Sequence, residues 1–423
     1  IEEFGDRVEG KIQIYRNLMG DTGEIEWEHH QEIDFDGVSD VFFCQYDEID
    51  YPELVAMSPS SEKIRVWEFD GSVFNLKVSK TAQEPCSISL SDLNGDSVQD
   101  LICLSSGEHR VQVFPGNSTS GFSNDALWEF PIHWNVSDSL MADIDGDGRD
   151  DLLVAHDGPG NGTVRIYYQE DRGEHGYLGN ADRNLVSDPM ISELLLGDFD
   201  GDGEREIGIP SGTDSISFLN ESGELEGSLD LPTGDHRFKV GHLGGEGDDL
   251  FLIGSDDGDL KIFRGGPEFY GSTPESVGTG VMNATGIDVA DISGDGLKDI
   301  ILGGDGGIQI LFNENSTFDV NRSFSIDKAG PFNRIECGHL NWGWEASWAN
   351  HLMDIATLNS SLEGIELYLQ NEEGDPFDPD PSKTLMPSGS GAITGLEVSH
   401  LTDDPLHHLV SAREDGTLTV FIQ

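Results

Sequence analysis

A nine-residue acidic loop occurs four times in this chain, and its repetition limits the folds that the chain can adopt. Each copy has oxygen-bearing side chains at positions 1, 3, 5 and 9, has glycine between them, and is followed by an apolar residue. One such loop could be a solvated turn in an acidic chain, but four copies on one plan indicate a structural repeat. The copies span residues 92–100, 143–151, 198–206 and 291–299.

The chemistry of the loop predicts calcium binding. Carboxylates and a backbone carbonyl at position 7 are hard oxygen ligands, and calcium takes about six to eight of them. An EF-hand would need Glu at position 12, but counting from Asp143 reaches Val154, so this is a different loop that turns a hairpin. The predicted ligands are Asp92, Asn94, Asp96, Val98 and Asp100; Asp143, Asp145, Asp147, Arg149 and Asp151; Asp198, Asp200, Asp202, Glu204 and Glu206; and Asp291, Ser293, Asp295, Leu297 and Asp299.

Between the loops the chain alternates apolar and polar residues. Nine such segments occur, from residues 10–15 to residues 416–421, and several end in an aromatic residue. Period-2 alternation with β-branched and aromatic residues is typical of strands that have one covered face. No segment has a helical period over three turns, so the sequence predicts an all-β protein.

Four degenerate loops fill the gaps between the intact ones, at residues 45–53, 242–249, 339–354 and 400–408. The position-9 residues of all eight loops are 43 to 55 residues apart. A period of about 40 to 50 with four strands per unit is typical of propeller blades. We therefore expect a single eight-bladed β-propeller of four-stranded antiparallel blades over residues 1–423. The alternative has seven blades, with the seventh or eighth repeat as an appendage.

The last repeat ends at Gln423 with only three of its strands, so its outermost strand must come from elsewhere. We expect residues 1–31 to close the ring with residues 393–423, and residues 32–392 to form the remaining blades. The N-terminal part offers two strands, at 10–15 and 24–31, which is one more than the ring needs. The surplus strand would lie on an outer edge, where it could pair with a neighbouring molecule.

These motifs resemble the FG-GAP or VCBS repeats of integrin α-subunit propellers and microbial surface proteins. The resemblance covers nearly the whole chain and rests on the apolar strand, the Asp-x-Asp-x-Asp-Gly-x-x-Asp loop and the two strands after it. It implies calcium at loop positions 1, 3, 5 and 9 of the second, third, fourth and sixth repeats. It does not fix the activity, because propellers host many functions.

Charge and sequons indicate where such a protein works. Asp and Glu total 81 against 23 Lys and Arg, a formal charge of −58, which makes nucleic acid an improbable partner and suggests a halophilic protein. The alternative is an acidic secreted protein at ordinary salt. Eight Asn-x-Ser/Thr sequons suggest a glycoprotein that is extracellular or on the cell surface. They lie at Asn117, Asn135, Asn161, Asn220, Asn283, Asn315, Asn321 and Asn359.

The start of the chain at Ile1, without Met or a leader, led us to expect that a signal peptide has been removed. No apolar run reaches the roughly 18 residues of a membrane span.

Three further groups of residues were considered. Trp342, Trp344 and Trp348 form a possible ligand surface for sugars or partner side chains, or else a loop that buries its own aromatics. His242, His339 and His400 stand at position 1 of degenerate loops, where capping by hydrogen bonds is favoured over a transition-metal site. Cys86 and Cys103 flank one loop, and a disulfide between them is possible.

No metalloprotease, nucleophile-elbow or phosphate-binding motif is present. We therefore expect a calcium-stabilised binding, adhesion or structural module of an extracellular assembly or filament rather than an enzyme. Its expected partners are a protein or glycan at a cell surface, or further copies of itself. The alternative is a secreted polysaccharide lyase or glycoside hydrolase built on a calcium-binding propeller.

Overall fold

A computed structural model describes most of the chain, and all its regular elements are β-strands. No helix occurs among the residues that it describes, and none of them forms a helix that could cross a membrane. The expectation of an all-β protein is confirmed. The described residues are 11–19, 25–44, 53–70, 72–117, 121–123, 126, 128–132, 135–157, 163–170, 177–178, 183–186, 191, 193–211, 215–220, 222–255, 258–279, 281–314, 317–318, 323–338, 353–359, 364–370, 377, 380–386, 393–400, 407–413 and 417–422.

The chain divides into two compact units, one containing Asp36–Leu231 and the other containing Val8–Phe35 and Pro232–Gln423. The first two strands, β1 (Lys11–Met19) and β2 (Ile25–Asp34), therefore belong to the second unit together with the C-terminal strands.

The first unit contains four four-stranded antiparallel sheets and one two-stranded ribbon. In three sheets the strands follow chain order, so each is a meander of consecutive hairpins. The sheets are β3 (Asp40–Cys44), β4 (Glu53–Ser58), β5 (Lys63–Phe69) and β6 (Phe74–Thr81); β7 (Pro85–Ser91), β8 (Asp100–Ser105), β9 (Arg110–Phe114) and β10 (Trp128–Pro131); β11 (Asn135–Ala142), β12 (Asp151–Asp157) and β13 (Thr163–Tyr167) with β16 (Arg183–Val186), the ribbon β14 (Gln169–Glu170) and β15 (Tyr177–Leu178) lying between them in sequence; and β17 (Leu195–Gly197), β18 (Glu206–Ser211), β19 (Ser215–Leu219) and β20 (Leu225–Asp230).

The second unit contains one four-stranded, one six-stranded and one five-stranded sheet. They are β21 (Gly234–Gly241), β22 (Asp249–Ser255), β23 (Leu260–Phe263) and β24 (Glu275–Val277); β25 (Met282–Ala290), β26 (Asp299–Leu311), β27 (Phe324–Gly338), β28 (Asp354–Asn359), β29 (Gly364–Tyr368) and β30 (Lys383–Leu385); and β31 (Ile393–His400), β32 (His407–Arg413) and β33 (Leu418–Ile422) followed by β1 and β2.

Two long strands explain why one sheet has six members. The N-terminal part of β26 pairs with β25, and its part after Gly306 pairs with β27. Gly306 and Gly307 have φ values of +100° and +143°, which only glycine adopts without strain. In the same way β27 pairs with β26 through residues 324–327 and Pro331, and with β28 through residues 332–338. The six-stranded sheet thus contains two consecutive repeats that share one continuous strand.

The N-terminal strands join the C-terminal sheet. β1 pairs in parallel with β33, from Ile12 beside Leu418 to Arg16 beside Ile422, and β2 lies at the sheet edge. Residues from 1–31 and 393–423 therefore pair through their main chains at β1 and β33. A closed ring and the count of eight blades stay predictions.

The core lies between neighbouring sheets within each unit. The second strand of several repeats is buried along its whole length, as in β4, β8 and β28. Because both faces of these strands are covered, they read as continuous apolar runs rather than as alternating ones. In the first unit, Val55 of β4 packs in one cluster with Leu101 of β8, and in the second, Phe251 of β22 packs with Ile300 of β26.

Cys86 and Cys103 are both free thiols in the structure. In the β7–β8 ladder, Cys103 stands opposite Ile88, and the register shifts between Pro85 and Ser87, where Cys86 lies. The Cys86 thiol donates to the carbonyl of Leu104 at 3.4 Å. The possible disulfide is therefore not formed, because the strand register does not place the two residues opposite each other.

Candidate metal centres

Each intact acidic loop connects the first strand of a sheet to the second. The loop at 92–100 follows β7, the loop at 143–151 follows β11, the loop at 198–206 follows β17 and the loop at 291–299 follows β25. In all four, position 9 is the first residue of the next strand. The prediction that these loops turn hairpins is confirmed.

The carboxylate at position 1 organises the loop backbone, because it accepts N–H groups from residues three to five positions ahead. The bonds run to Asp92 from Gly95 and Ser97 (2.7 and 2.8 Å), to Asp143 from Gly148 (2.9 Å), to Asp198 from Gly201 and Gly203 (2.8 and 3.1 Å), and to Asp291 from Gly294 and Gly296 (2.7 and 2.8 Å). Position 6 has a positive φ in every loop, including +68° at Ser97 where the other loops have glycine.

The carboxylate at position 5 accepts the N–H of position 7 in all four loops. The donors and acceptors are Val98 and Asp96 (2.8 Å), Arg149 and Asp147 (3.0 Å), Glu204 and Asp202 (2.8 Å), and Leu297 and Asp295 (2.8 Å). The predicted position-7 residues are thus fixed at the turn of the loop by their neighbours at position 5.

The last carboxylate of the loop, which begins the second strand, is buried. We call this residue the closing carboxylate of its loop. The six considered are each at most 2% exposed: Asp100, Asp151, Glu206, Asp249, Asp299 and Asp354. Where the loop is described, one oxygen accepts the N–H of the second loop residue: Leu93 (3.1 Å), Ile144 (3.0 Å), Phe199 (2.7 Å), Leu243 (2.9 Å) or Ile292 (3.0 Å). In five of the six, the other oxygen accepts an N–H from just beyond the third strand: Gly116 (2.8 Å), Gln169 (2.8 Å), Gly265 (3.0 Å), Asn313 (2.8 Å) or Gln370 (2.9 Å).

Burial raises the pKa values of these groups. Desolvation raises the pKa of Asp100 and of Asp151 to about 6, and that of Glu206 to about 7, against the opposing effect of the N–H groups that they accept. Nearby loop carboxylates raise all three further. The pKa values of Asp249 and Asp299 are also raised, chiefly by desolvation.

In two of the loops, the carboxylates of that loop converge on one point. Asp143, Asp145 and Asp151 each offer an oxygen within 4.8 Å of the others, and so do Asp198, Asp200, Asp202 and Glu206. Oδ1 of Asp143 is buried and accepts no hydrogen bond. A divalent cation bound by hard oxygen ligands fits this donor set, because it would satisfy the buried oxygen and relieve the repulsion among the carboxylates.

The remaining predicted ligands are arranged differently. Asp147 forms an ion pair with the guanidinium of Arg149 and is not among the converging carboxylates. At 92–100 and 291–299, no group of three converging acidic side chains occurs among the described residues. These two loops have the neutral residues Asn94 and Ser293 at position 3, and Oδ1 of Asn94 accepts the N–H of Asp96 at 2.8 Å.

The degenerate loop at 242–249 has no acidic residue at position 1 or 3, yet it keeps its closing carboxylate, Asp249. Nδ1 of His242 lies 3.1 Å from the carbonyl oxygen of Gly247 and 3.6 Å from Oδ1 of Asp248. This histidine thus makes local polar contacts within its own turn, in keeping with the capping interpretation. His339 lies outside the described residues, and so does the side chain of His400.

The sequons fall in different environments. Asn117 and Asn283 are exposed, and Asn220 is half-buried at a turn. Asn359 is 1% exposed and its Nδ2 donates to Glu366 at 3.3 Å, so its environment in the folded protein does not favour a glycan. Asn161, Asn315, Asn321 and the side chain of Asn135 lie outside the described residues, as do Trp342, Trp344 and Trp348.

Three amide side chains next to the loops were missed by the sequence reasoning. Gln169, Asn313 and Gln370 each lie two residues beyond the end of an alternating strand, and each donates its side-chain amide to a carbonyl in the loop of the preceding repeat. The acceptors are Leu93 (3.0 Å), Leu243 (3.5 Å) and Ile292 (3.2 Å). The available signal was the recurrence of Gln or Asn at that one place in the repeat.

Known proteins support the fold and the repeats. Residues 92–154 and 143–209 match the model of the FG-GAP-like repeat family. No curated protein matches the chain. Among solved structures, Sqt1 from Chaetomium thermophilum aligns with a TM-score of 0.60 at 13% identity, covering 99% of this chain and 98% of that one.

Two other solved structures are similar over less of the chain. The Dos1 propeller aligns with a TM-score of 0.49 at 12% identity, covering 81% of this chain and 78% of that one. BBS1N, in a complex with ARL6DN, aligns with a TM-score of 0.45 at 12% identity, covering 77% and 91%. From the likeness to Sqt1 and the family match, we conclude that the chain has a β-propeller fold and carries FG-GAP-like repeats over residues 92–209.

Proposed function

We propose that this propeller is a calcium-stabilised binding or structural module that works outside the cell. The observation that carries the calcium role is the buried Oδ1 of Asp143, which accepts no hydrogen bond and lies in a group of three converging carboxylates. Leaving a buried polar atom unsatisfied costs about 1–3 kcal/mol, and more when the group is charged. A bound calcium ion removes that cost and the mutual repulsion together.

The ion would act on the hairpin rather than on a substrate. Its ligands come from a turn whose backbone is already folded around the position-1 carboxylate, and from a closing carboxylate at the start of the buried second strand. Binding at 143–151 and 198–206 would therefore clamp the first strand of the sheet to the second. Loops elsewhere in the repeats would stay available for a protein or glycan partner, as in an adhesion module.

Matched charge-removing variants test the calcium role. We expect calcium to raise the melting temperature of the wild-type chain, since a ligand at about 100 times its Kd adds about 2.7 kcal/mol per site. Asp145→Asn and Asp200→Asn should each lose part of that gain. Asp230→Asn, which removes the same charge from the exposed face of β20, should keep it all. An unchanged wild-type melting curve in excess chelator and in calcium would contradict the role.

Export is supported by the sequons, of which Asn117 and Asn283 present exposed side chains. We propose N-glycans at both positions and none at Asn359. Peptide mass spectrometry of protein from its native source, with and without enzymatic glycan removal, is the test. Unmodified Asn117 and Asn283 in that material would contradict the proposal.

Self-assembly is proposed through β2. This ten-residue strand is the outermost member of a five-stranded sheet, so among the described residues no strand pairs with its outer side. A free strand edge is a template for pairing with another chain. Sedimentation velocity over a wide concentration range should show association, and a purely monomeric protein at the highest concentration would argue against this edge as a contact.

A further inference from the structure

Gln169 contacts two neighbouring acidic loops at the same time. Its backbone N–H donates to Oδ1 of Asp151 at 2.8 Å, at the end of the loop 143–151. Its side-chain Nε2 donates to the carbonyl of Leu93 at 3.0 Å and lies 3.5 Å from that of Asp92, both in the loop 92–100. The residue is 3% exposed, so these bonds are shielded from water.

The two residues that Gln169 contacts, Asp151 and Leu93, each belong to the hydrogen-bond network of a closing carboxylate. Asp151 also accepts the N–H of Ile144 at 3.0 Å, and the N–H of Leu93 donates to Asp100 at 3.1 Å. Gln169 thus links the carboxylate that closes one loop to Leu93, the residue whose N–H is accepted by the carboxylate that closes the other loop. A change in the position or order of Asp151 acts directly on the backbone of the loop 92–100.

The same arrangement recurs in the second unit. Gln370 donates its side-chain amide to the carbonyl of Ile292, in the loop 291–299, at 3.2 Å and its backbone N–H to Asp354 at 2.9 Å. Asn313 donates its backbone N–H to Asp299 at 2.8 Å, and its side-chain amide contacts the carbonyl of Leu243 at 3.5 Å and, in its own loop, that of Lys298 at 3.0 Å. Three occurrences with two different amide side chains indicate a feature of the repeat rather than a chance contact.

Two other repeats provide a natural comparison. Gly116 and Gly265 hold the same place in the sequence, and their N–H groups still donate to Asp100 and Asp249. Having no side chain, they cannot reach the preceding loop. Among the four intact loops, the two that receive a glutamine amide, 92–100 and 291–299, are those with a neutral residue at position 3. The hydrogen bond from a glutamine side chain to a loop carbonyl therefore occurs at intact loops that supply fewer carboxylates.

We propose that Gln169 is a positioning residue that couples calcium binding in the loop 92–100 to calcium binding in the loop 143–151. This rests on the proposed calcium role, extended to the loop 92–100, whose predicted oxygen ligands include Asp92, Asn94, Asp96 and Asp100. An ion held by Asp151 orders Gln169, and the ordered amide fixes the Leu93 carbonyl before the second ion arrives. The second binding event then loses less conformational entropy, which makes the coupling positive. Because coupling free energies are reciprocal, an ion in 92–100 strengthens binding in 143–151 by the same factor.

Hydrogen–deuterium exchange of the whole chain at graded calcium concentrations tests the coupling, because it measures for each loop the calcium concentration at which half of its protection is reached. We call this concentration the midpoint of the loop. Asp145→Asn removes a ligand from the loop 143–151. It should raise the calcium concentration at which residues 93–98 are half-protected by about five-fold, which corresponds to the loss of about one hydrogen bond. Gln169→Ala should raise it by a similar factor, and the double variant by no more than Gln169→Ala alone. The loop 291–299 serves as the control and should respond to none of these.

A second substitution guards against loss of folding. Gln169→Met keeps the size of the side chain but removes the amide donor, and it should shift the 92–100 midpoint as Gln169→Ala does. Gln370→Ala should shift the midpoint of 291–299 and leave 92–100 unchanged.

The outcomes separate the two proposals. An unchanged 92–100 midpoint in Gln169→Met, or a full response to Asp145→Asn in the Gln169→Ala background, would overturn the coupling and leave the calcium role standing. No calcium-dependent protection in any wild-type loop would overturn the calcium role and the coupling together.

Discussion

The backbone N–H of Gly265 donates to Oδ1 of Asp249 at 3.0 Å, although the loop that contains Asp249 lacks acidic residues at positions 1 and 3. A Cβ on Gly265 would lie 2.4 Å from the carbonyl carbon of Gly247 and 2.5 Å from the carbonyl oxygen of Asp248. Glycine is therefore required here because two stretches of backbone approach each other closely.

Gly265→Ala should lower the free energy of unfolding by about 1–3 kcal/mol, the usual cost of overpacking a rigid contact. Chemical denaturation measures it. Gly245→Ala is the control, since its added Cβ would meet the carbonyl oxygen of Gly265 at an ordinary 3.6 Å. That variant should stay within about 0.5 kcal/mol of wild type. Equal stabilities for the two variants would contradict the close approach.

Asp249→Ala should destabilise the protein by at least about 2 kcal/mol, because it leaves the buried N–H groups of Leu243 and Gly265 without an acceptor. The loss should be the same in calcium and in chelator. Asp145→Asn should behave in the opposite way: it should lose calcium stabilisation, yet in chelator be at least as stable as wild type. Thermal melts of both variants under both conditions distinguish a structural carboxylate from a ligand.

The metal-free protein should become more stable as the pH falls from about 8 to 5. The pKa values of Asp100, Asp151 and Glu206 are raised on folding, to about 6, 6 and 7, so the folded state binds protons more tightly than the unfolded state. The stability that these three groups contribute is fully present below their pKa values in the unfolded state. It is lost as the pH rises through their pKa values in the folded state. Glu206→Gln should flatten the profile near pH 7. With calcium present, protons compete with the ion, so the calcium-dependent gain should shrink as the pH falls.

Salt should stabilise the calcium-saturated protein. With a formal charge of −58, self-repulsion opposes the compact state, and screening by molar sodium chloride shortens the Debye length to about 3 Å. The melting temperature should rise between tenths molar and molar salt. A flat or falling dependence would favour the interpretation of an acidic protein at ordinary salt.

The sequence predicts features that depend on neighbouring residues. The alternating segment at 110–114 coincides with β9, and the four intact loops connect the strands that the motif places around them. These are local signals, since ligand spacing and period-2 alternation are properties of a few consecutive positions.

Features that depend on contacts across sheets were not predictable. Gln169 and Leu93 are 76 positions apart, and only the packing of two repeats brings them together. Burial of Asn359 depends on Glu366 in the neighbouring strand, whereas a sequon is read from three residues. The continuity of β27 was missed as well, because the sequence marks strand ends by their turns and residues 324–338 cross from one repeat to the next without one.

The continuous strand β27 has a consequence for how the molecule can come apart. A loop between two repeats is a place where one can open locally while the other stays closed, and it is where proteases cut first. Since β27 holds the fourth strand of one repeat and the first strand of the next in a single extended segment, opening either repeat removes hydrogen bonds from both. We therefore expect the described strands between residues 282 and 385 to open together in local unfolding, as a block about twice the size of a single repeat.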